Sequence, residues 1–143
     1  MKGNRQRGRE LAVQALYQAD VGKGGSLDDF LESRKGLPQV KAFARELYEG
    51  VSAELEAVDA QLSKYSLNWD PGRFAAVDRA ILRLGCYELL FRSDIPAEVT
   101  LDSCVELAKE FGGEDSPKFV NGLLDKVKRE NPVEKEGKPH ADL

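Results

Sequence analysis

The stretch VDRAILRLGCYELLFR, residues 77–92, is the most apolar helix-length run of the chain. At about 100° per residue, its apolar side chains cover two opposite sides of a helix. A helix that is apolar nearly all round is expected at the centre of a fold. One side would carry Val77, Ala80, Ile81, Leu84, Tyr87 and Phe91, and the other Leu82, Cys86, Leu89 and Leu90.

Glu88 stands out in this helix because it projects among the apolar positions of the first side. An unpaired carboxylate in that position would be costly. Two interpretations stay open. Glu88 pairs with Arg92 one turn on, in the favourable acid-first order, or it faces a partner protein.

The remaining sequence predicts further helices and no strand, so the fold class is all-α. A first helix covers about residues 5–19, and a short one follows Ser26 as its cap. Apolar residues from Val40 to Leu62 then keep helical spacing over more than six turns. After the central stretch, Thr100 is expected to cap the next helix. Ser116 and Pro117 open the last helix in the same cap-then-proline order.

The length of 143 residues suits one domain, residues 1–132, built from two small subdomains that share a core. Asp70 as a cap with Pro71 at the first helical position marks the boundary between them. We predict a three-helix N-terminal subdomain (about 1–66) and a C-terminal subdomain (about 70–131). The charged tail, 133–143, is expected to be disordered.

Charge is distributed unevenly along the chain. Lys2, Arg5, Arg7 and Arg9 give the first nine residues a charge of +4, whereas the other 134 residues carry 17 basic and 25 acidic side chains. A basic arm on an acidic body suggests a polyanion at the arm and a basic partner elsewhere. The alternative is a solvated, frayed N-terminus.

Several functional classes are disfavoured. No apolar run approaches the roughly 20 residues of a membrane span, and no secretory segment is present, so a cytoplasmic protein is expected. Cys86 and Cys104 lie in apolar helical contexts typical of packing. The sequence has no glycine-rich phosphate loop or metal-ligand motif, and its one histidine, His140, lies in the tail. We therefore predict a non-catalytic protein without cofactor or metal.

Two places have the chemistry to contact nucleic acid. Arg5, Arg9, Val13 and Tyr17 recur every four residues, which would place guanidinium groups and a base-stacking ring on one helix face. The alternative is that Tyr17 is a half-buried core residue. The second place is the 111–119 turn, where Lys118 and Phe119 lie at a helix start that can attract phosphate. There the alternative is a well-capped turn with Phe119 as a lid on the core.

Two groups of residues together resemble the NusB family of bacterial transcription antitermination factors. The first group is Arg9, Ala12, Gln14, Leu16 and Tyr17. The second comprises residues 78–84 (DRAILRL), 87–89 (YEL), 92–96 (RSDIP), 106–109 (ELAK), 111–112 (FG), 115–116 (DS) and 118–122 (KFVNG). The resemblance spans about residues 5–128.

The resemblance implies an all-α fold of two helical subdomains and binding to the boxA RNA of ribosomal RNA transcripts. It also implies a heterodimer with the ribosomal protein NusE, within an RNA polymerase complex that contains other Nus factors. The implied RNA-binding residues are Lys2, Arg5, Arg7, Arg9, Gln14, Tyr17, Asp115, Lys118 and Phe119. The implied NusE-facing residues are Asp78 and Glu88.

Two other functions stay open at this point. One is a helical protein-protein adaptor that does not bind RNA directly. The other is a stand-alone relative of the NusB-like domain of RNA cytosine methyltransferases, although the chain ends without a cofactor-binding α/β domain. The oligomeric state is also open, a homodimer included.

Overall fold

A computed structural model describes residues 3–22, 25–66 and 75–136. Within these ranges every regular element is a helix, so the predicted all-α class is confirmed. The helices are α1 (Asn4–Asp20), α2 (Leu27–Glu32), α3 (Pro38–Ala53), α4 (Leu55–Tyr65), α5 (Ala76–Phe91), α6 (Ala97–Phe111) and α7 (Ser116–Glu130). None of these helices is long and apolar enough to cross a membrane.

The α5 helix is central, as its apolar sequence predicts. It packs against α1, α3, α4, α6 and α7, and ten of its sixteen residues are buried. Phe91, at its last turn, differs from the expectation because 42% of it is exposed. Arg79, a charged residue in the first turn of this helix, is buried against Asp20 of α1.

The long apolar segment from Val40 to Leu62 is two helices, so the prediction of one continuous helix is wrong. The break falls at Glu54, whose φ of −106° and ψ of 18° are not helical. The break lets one apolar stripe serve two sets of neighbours, since α3 packs mainly on α1 whereas α4 packs on α5 and α7. The part of the chain before α5 therefore contains four helices in the described residues.

Thr100 does not cap α6, because that helix begins three residues earlier at Ala97, directly after Pro96. Proline has no backbone N–H to leave unpaired, so it suits a helix start. Thr100 is instead fully buried, and its hydroxyl donates to Glu88. The predicted cap at Asp70 and Pro71 lies outside the described residues.

The first tail residues are ordered against α5, in contrast to the expected disorder from residue 133 onward. The Lys135 ammonium donates to the carbonyl oxygens of Glu88, Leu89 and Arg92 at 3.1, 3.2 and 2.9 Å. The last carbonyl groups of a helix lack partners within it and attract cations. Lys135 therefore caps the C-terminal end of α5. The division into subdomains stays a prediction, because the buried side chains of both halves form one core.

Candidate nucleic-acid interface

The one acid at the centre of α5 is paired with a residue of the first helix. Arg9 binds Glu88 through two hydrogen bonds, Nε to Oε2 at 2.7 Å and Nη2 to Oε1 at 3.1 Å. Thr100 donates to the same carboxylate at 2.7 Å, and Arg9 also donates to the Ser103 hydroxyl at 3.1 Å. The pair is buried, with 2% of Arg9 and 0% of Glu88 exposed. Such a pair is stable only when its hydrogen bonds are satisfied, as they are here.

This pair corrects three expectations. Glu88 does not pair with Arg92, whose guanidinium binds Asp94 instead with two bonds of 2.9 Å. Glu88 cannot face NusE, because no part of it reaches the surface. Arg9 cannot contact RNA phosphate in this arrangement, since its guanidinium is buried in the same pair.

The predicted ladder of Arg5, Arg9, Val13 and Tyr17 is not one exposed face. A step of four residues turns a helix by about 40° more than a full circle, so three steps rotate the direction by about 120°. Arg9 and Val13 consequently point into the core. Arg5 lies over the Phe43 ring, 4.5 Å from its centroid, and 38% of Tyr17 is exposed.

The outward side of α1 carries three of the predicted residues. Arg7 and Tyr17 are exposed and Gln14 is half-buried. Arg7 and Gln14 are two turns apart, which places them on one face of the helix. Lys2, the other predicted arm residue, lies outside the described part of the chain.

The 111–119 turn places its polar residues outward. Asp115 and Lys118 are exposed, whereas Phe119 is half-buried and packs against the edge of the core. Asp115 occupies the N-cap position of α7, but its side chain makes no capping hydrogen bond. Its carboxylate is therefore not committed to closing the helix.

Two neighbouring residues of α5 form hydrogen bonds to the two segments that carry the candidate RNA-binding residues. The Ser116 hydroxyl donates to Asp78 Oδ2 at 3.1 Å, while Arg79 Nε donates to Asp20 Oδ2 at 2.7 Å. Asp20 ends α1 and Ser116 begins α7. The first turn of α5 thus contacts both the end of α1 and the start of α7, with Tyr17 and Phe119 each about one helical turn away.

The directions of the helices agree with this arrangement. The pairs formed by Arg9 with Glu88 and by Asp20 with Arg79 make α1 antiparallel to α5. Contacts of Thr100 with Glu88 and of Cys104 with the Ile81 carbonyl make α6 antiparallel to α5 as well, so α1 and α6 are parallel.

The level of Tyr17 along α6 follows from two hydrogen bonds. Gln6 and Arg9 both donate to Ser103, which sets the register between the parallel helices. The two parallel helices rise by the same distance per residue. Counted from the level of Ser103, Tyr17 therefore lies beside about residues 111–114, where the turn begins.

The outer surface of α6 is acidic. Its acids repeat every four residues and all are exposed: Glu98, Asp102, Glu106 and Glu110. Three steps of four residues rotate the direction by about 120°, so these acids are spread over the outer side of α6 rather than along one line. Exposed carboxylates repel phosphate, so a nucleic acid that contacts α1 and α7 is expected to avoid this side and to cross at the 111–119 end.

Comparison with known proteins gives the same fold and a family. The NusB family profile matches residues 6–129. Transcription antitermination protein NusB of Geobacter sulfurreducens is 46% identical over 129 residues, covering 87% of this chain and 94% of that protein. The Myxococcus xanthus protein of the same name is 43% identical over 132 residues, with 87% and 94% covered.

Solved structures agree. The structure of T. maritima NusB superposes with a TM-score of 0.81 at 39% identity, over 93% of this chain and 96% of that one. A chain from a structure of antitermination factors NusB and NusE in complex with dsRNA superposes with a TM-score of 0.77 at 26% identity, over 91% and 99%. The chain described here belongs to the NusB family.

Proposed function

We propose that this chain is a non-catalytic transcription antitermination factor that binds boxA RNA of ribosomal RNA transcripts together with NusE. One observation carries the proposal: the first turn of α5 binds the end of α1 through Arg79 and the start of α7 through Asp78. These two contacts support a single surface formed by the candidate RNA residues of both segments. Relatives named as antitermination proteins, and a related structure that contains NusE and RNA, support the same function.

The chemistry of the surface suits a single strand of RNA. Tyr17 offers a partly exposed aromatic plane, and stacking on such a ring is typically worth about 1–3 kcal/mol per base. Gln14 and Asp115 can hydrogen-bond base edges. Lys2, Arg5, Arg7 and Lys118 supply cations for phosphates, so three or four contacts should give a log affinity against log salt slope of about −2 to −3.

We assign the protein partner to the side of the chain that carries Asp78. NusE is expected to be basic, and the body of the chain outside the first nine residues is acidic. Glu88 is excluded from this surface by its burial. The complex would join RNA polymerase and other Nus factors, which places the protein in the cytoplasm, where transcription occurs in bacteria.

Electrophoretic mobility of labelled boxA RNA and of a scrambled RNA, with this protein alone and with NusE added, tests the proposal. We expect a boxA complex that NusE strengthens, with weaker binding to the scrambled RNA. A shift with NusE but none with either RNA would instead favour the adaptor without RNA binding.

A pair of phenylalanine variants tests the surface itself. Phe119→Ala should weaken RNA binding by about one stacked base, roughly tenfold, without changing the helical content. Phe91→Ala removes a ring that is 42% exposed at the opposite end of α5 and serves as the control. Equal RNA affinity of both variants and the parent protein would remove Phe119 from the site.

A further inference from the structure

We propose that Asp78 is a positioning residue for RNA binding, which acts by holding the 111–119 turn through Ser116. This inference rests on the proposed function and adds a role to the one that the family resemblance implies for Asp78, which is contact with NusE. The relevant geometry joins α5 to the backbone of the turn through one hydroxyl group.

The Ser116 hydroxyl donates one hydrogen bond and accepts another. It donates to Asp78 Oδ2 at 3.1 Å and accepts from the backbone N–H of Gly113 at 2.9 Å. Only 6% of Ser116 is exposed, so water does not readily replace either bond. A hydroxyl that donates to a fixed carboxylate has its lone pairs oriented for the second partner. Asp78 therefore orients the group that closes the turn.

The turn is packed closely against the same side chain. A Cβ added to Gly112 would lie 2.6 Å from both Cβ and Oγ of Ser116, and 2.9 Å from the Ala108 carbonyl oxygen. Glycine at this position allows the backbone to approach Ser116. The turn is thus fixed by steric fit on one side and by the Asp78 carboxylate on the other.

The carboxylate of Asp78 is directed to this contact. Its second oxygen, Oδ1, is buried and has no hydrogen-bond partner among the described residues. Oδ2 is then the oxygen through which Asp78 acts. An asparagine could keep the acceptor for Ser116 and place its amide at the Oδ1 position.

The residues that are expected to contact RNA lie next to Ser116 in the chain. Asp115 precedes Ser116, and Lys118 and Phe119 lie within the next turn of α7. Binding groups need placement within about 0.5 Å to keep their contribution. Release of Ser116 from Asp78 should therefore weaken RNA binding although neither residue touches the RNA.

The test compares Asp78→Ala, Ser116→Ala and Asp78→Asn for affinity to boxA RNA without NusE. The two alanine variants should each bind roughly three- to tenfold more weakly, which corresponds to one hydrogen bond. Asp78→Asn should stay within about twofold of the parent protein. Glu56→Ala, which removes an exposed carboxylate from α4, is the control for net charge. If Asp78→Ala fails to fold, Ser116→Ala carries the test.

A double-mutant cycle separates positioning from general destabilisation. Because Asp78 is proposed to place Phe119 together with Asp115 and Lys118, the losses from Asp78→Ala and Phe119→Ala overlap in part, and the double variant binds RNA more tightly than the sum of the two single losses would give. Additive losses would overturn the inference. Unchanged RNA affinity with weaker NusE binding in Asp78→Ala would also overturn it and leave only the contact with the protein partner.

Amide hydrogen exchange makes the failure of this inference distinguishable from failure of the proposed function. Asp78→Ala should accelerate exchange at the Gly113 amide, which donates to Ser116, while α3 amides keep their protection. If the parent protein binds no RNA with or without NusE, the proposed function is wrong, and Asp78 cannot have a role in RNA binding. If exchange at the Gly113 amide is the same in Asp78→Ala and the parent protein, Asp78 does not hold the turn through Ser116, even when the parent protein binds RNA.

Discussion

Arg9 of α1 and Glu88 of α5 form an ion pair sealed inside the fold, with N to O distances of 2.7 and 3.1 Å. The pair joins the helix that carries Tyr17 to the central helix. It also explains how Arg9 can be among the residues that carry the family resemblance without reaching the surface. Arg9 would affect RNA binding through the placement of α1.

Removal of one partner should destabilise the fold strongly. Arg9→Met leaves the Glu88 carboxylate buried without its counter-charge, which typically costs about 3–5 kcal/mol. The double variant Arg9→Met with Glu88→Leu replaces both charges by apolar groups and should regain most of that loss. Denaturant unfolding measures the free energies, and a double variant less stable than Arg9→Met would contradict the pairing.

The same variants separate the two roles of arginine in α1. The double variant should keep the salt dependence of RNA binding, because Arg9 makes no phosphate contact. Arg7→Met, at an exposed position, should reduce the magnitude of the slope by about 0.7 with little change in stability. A reduced slope in the Arg9 double variant would return Arg9 to the RNA surface.

Gly50 in α3 should tolerate no side chain. A Cβ there would overlap the hydroxyl and the ring of Tyr87, which leave no room for it. Gly50→Ala is therefore expected to destabilise by about 1–3 kcal/mol, although alanine favours helix by about 1 kcal/mol at an open site. Gly122→Ala in α7 is the matched control, since nothing lies within 4 Å of its Cβ. Thermal unfolding in which both variants are equally stable would contradict this packing.

Both cysteines should be inert in the folded protein. Burial, with a smaller contribution from Asp59, raises the pKa of the Cys86 thiol to about 12. Burial also raises the pKa of Cys104, and the nearby Glu88 carboxylate adds to it. Because the thiolate is the reactive form, a thiol reagent at pH 8 should modify neither residue until denaturant unfolds the chain. Rapid modification of the native protein would contradict the burial.

Acid should weaken the fold partly through Asp94. Hydrogen bonds from the Arg92 guanidinium lower the pKa of Asp94, and burial opposes that effect only in part. The folded pKa lies below the unfolded value of about 3.9. The contribution to stability is therefore present above that value and is lost as pH falls through the folded pKa.

Asp94→Asn should accordingly flatten the loss of stability below about pH 4. Unfolding free energies measured from pH 6 to pH 2.5 give the comparison, and Asp102→Asn, at an exposed position of α6, is the control. An identical acid profile for Asp94→Asn and the parent protein would contradict the role of the Arg92 pair.

The features that the sequence predicts correctly are those with a local signal. The continuous apolar surface of α5 identified it as central, and helix-start signals located the 111–119 turn. The break at Glu54 was missed because the apolar period runs through it without interruption. The partner of Glu88 was missed because it lies 79 positions away, beyond the reach of helical spacing.

The candidate site shows the same limit. The four-residue spacing predicts an exposed Tyr17 near a basic arm, but it also predicts that Arg5 and Arg9 are both exposed, which is wrong for Arg9. Val13 and Leu16 lie on the side of α1 to which Arg9 points, and these apolar neighbours were a usable signal for its burial. Ser116 and Arg79 could not be found in this way, because their roles depend on contacts between helices.

A titration of ¹⁵N-labelled protein with single-stranded boxA RNA, followed by NMR, tests directly whether α1 and the start of α7 form one RNA surface. We expect the amide signals around Gln14 to Tyr17 and around Asp115 to Phe119 to shift together, with one dissociation constant. Shifts confined to one of the two segments, or two clearly different dissociation constants, would contradict a single RNA surface formed by α1 and the start of α7.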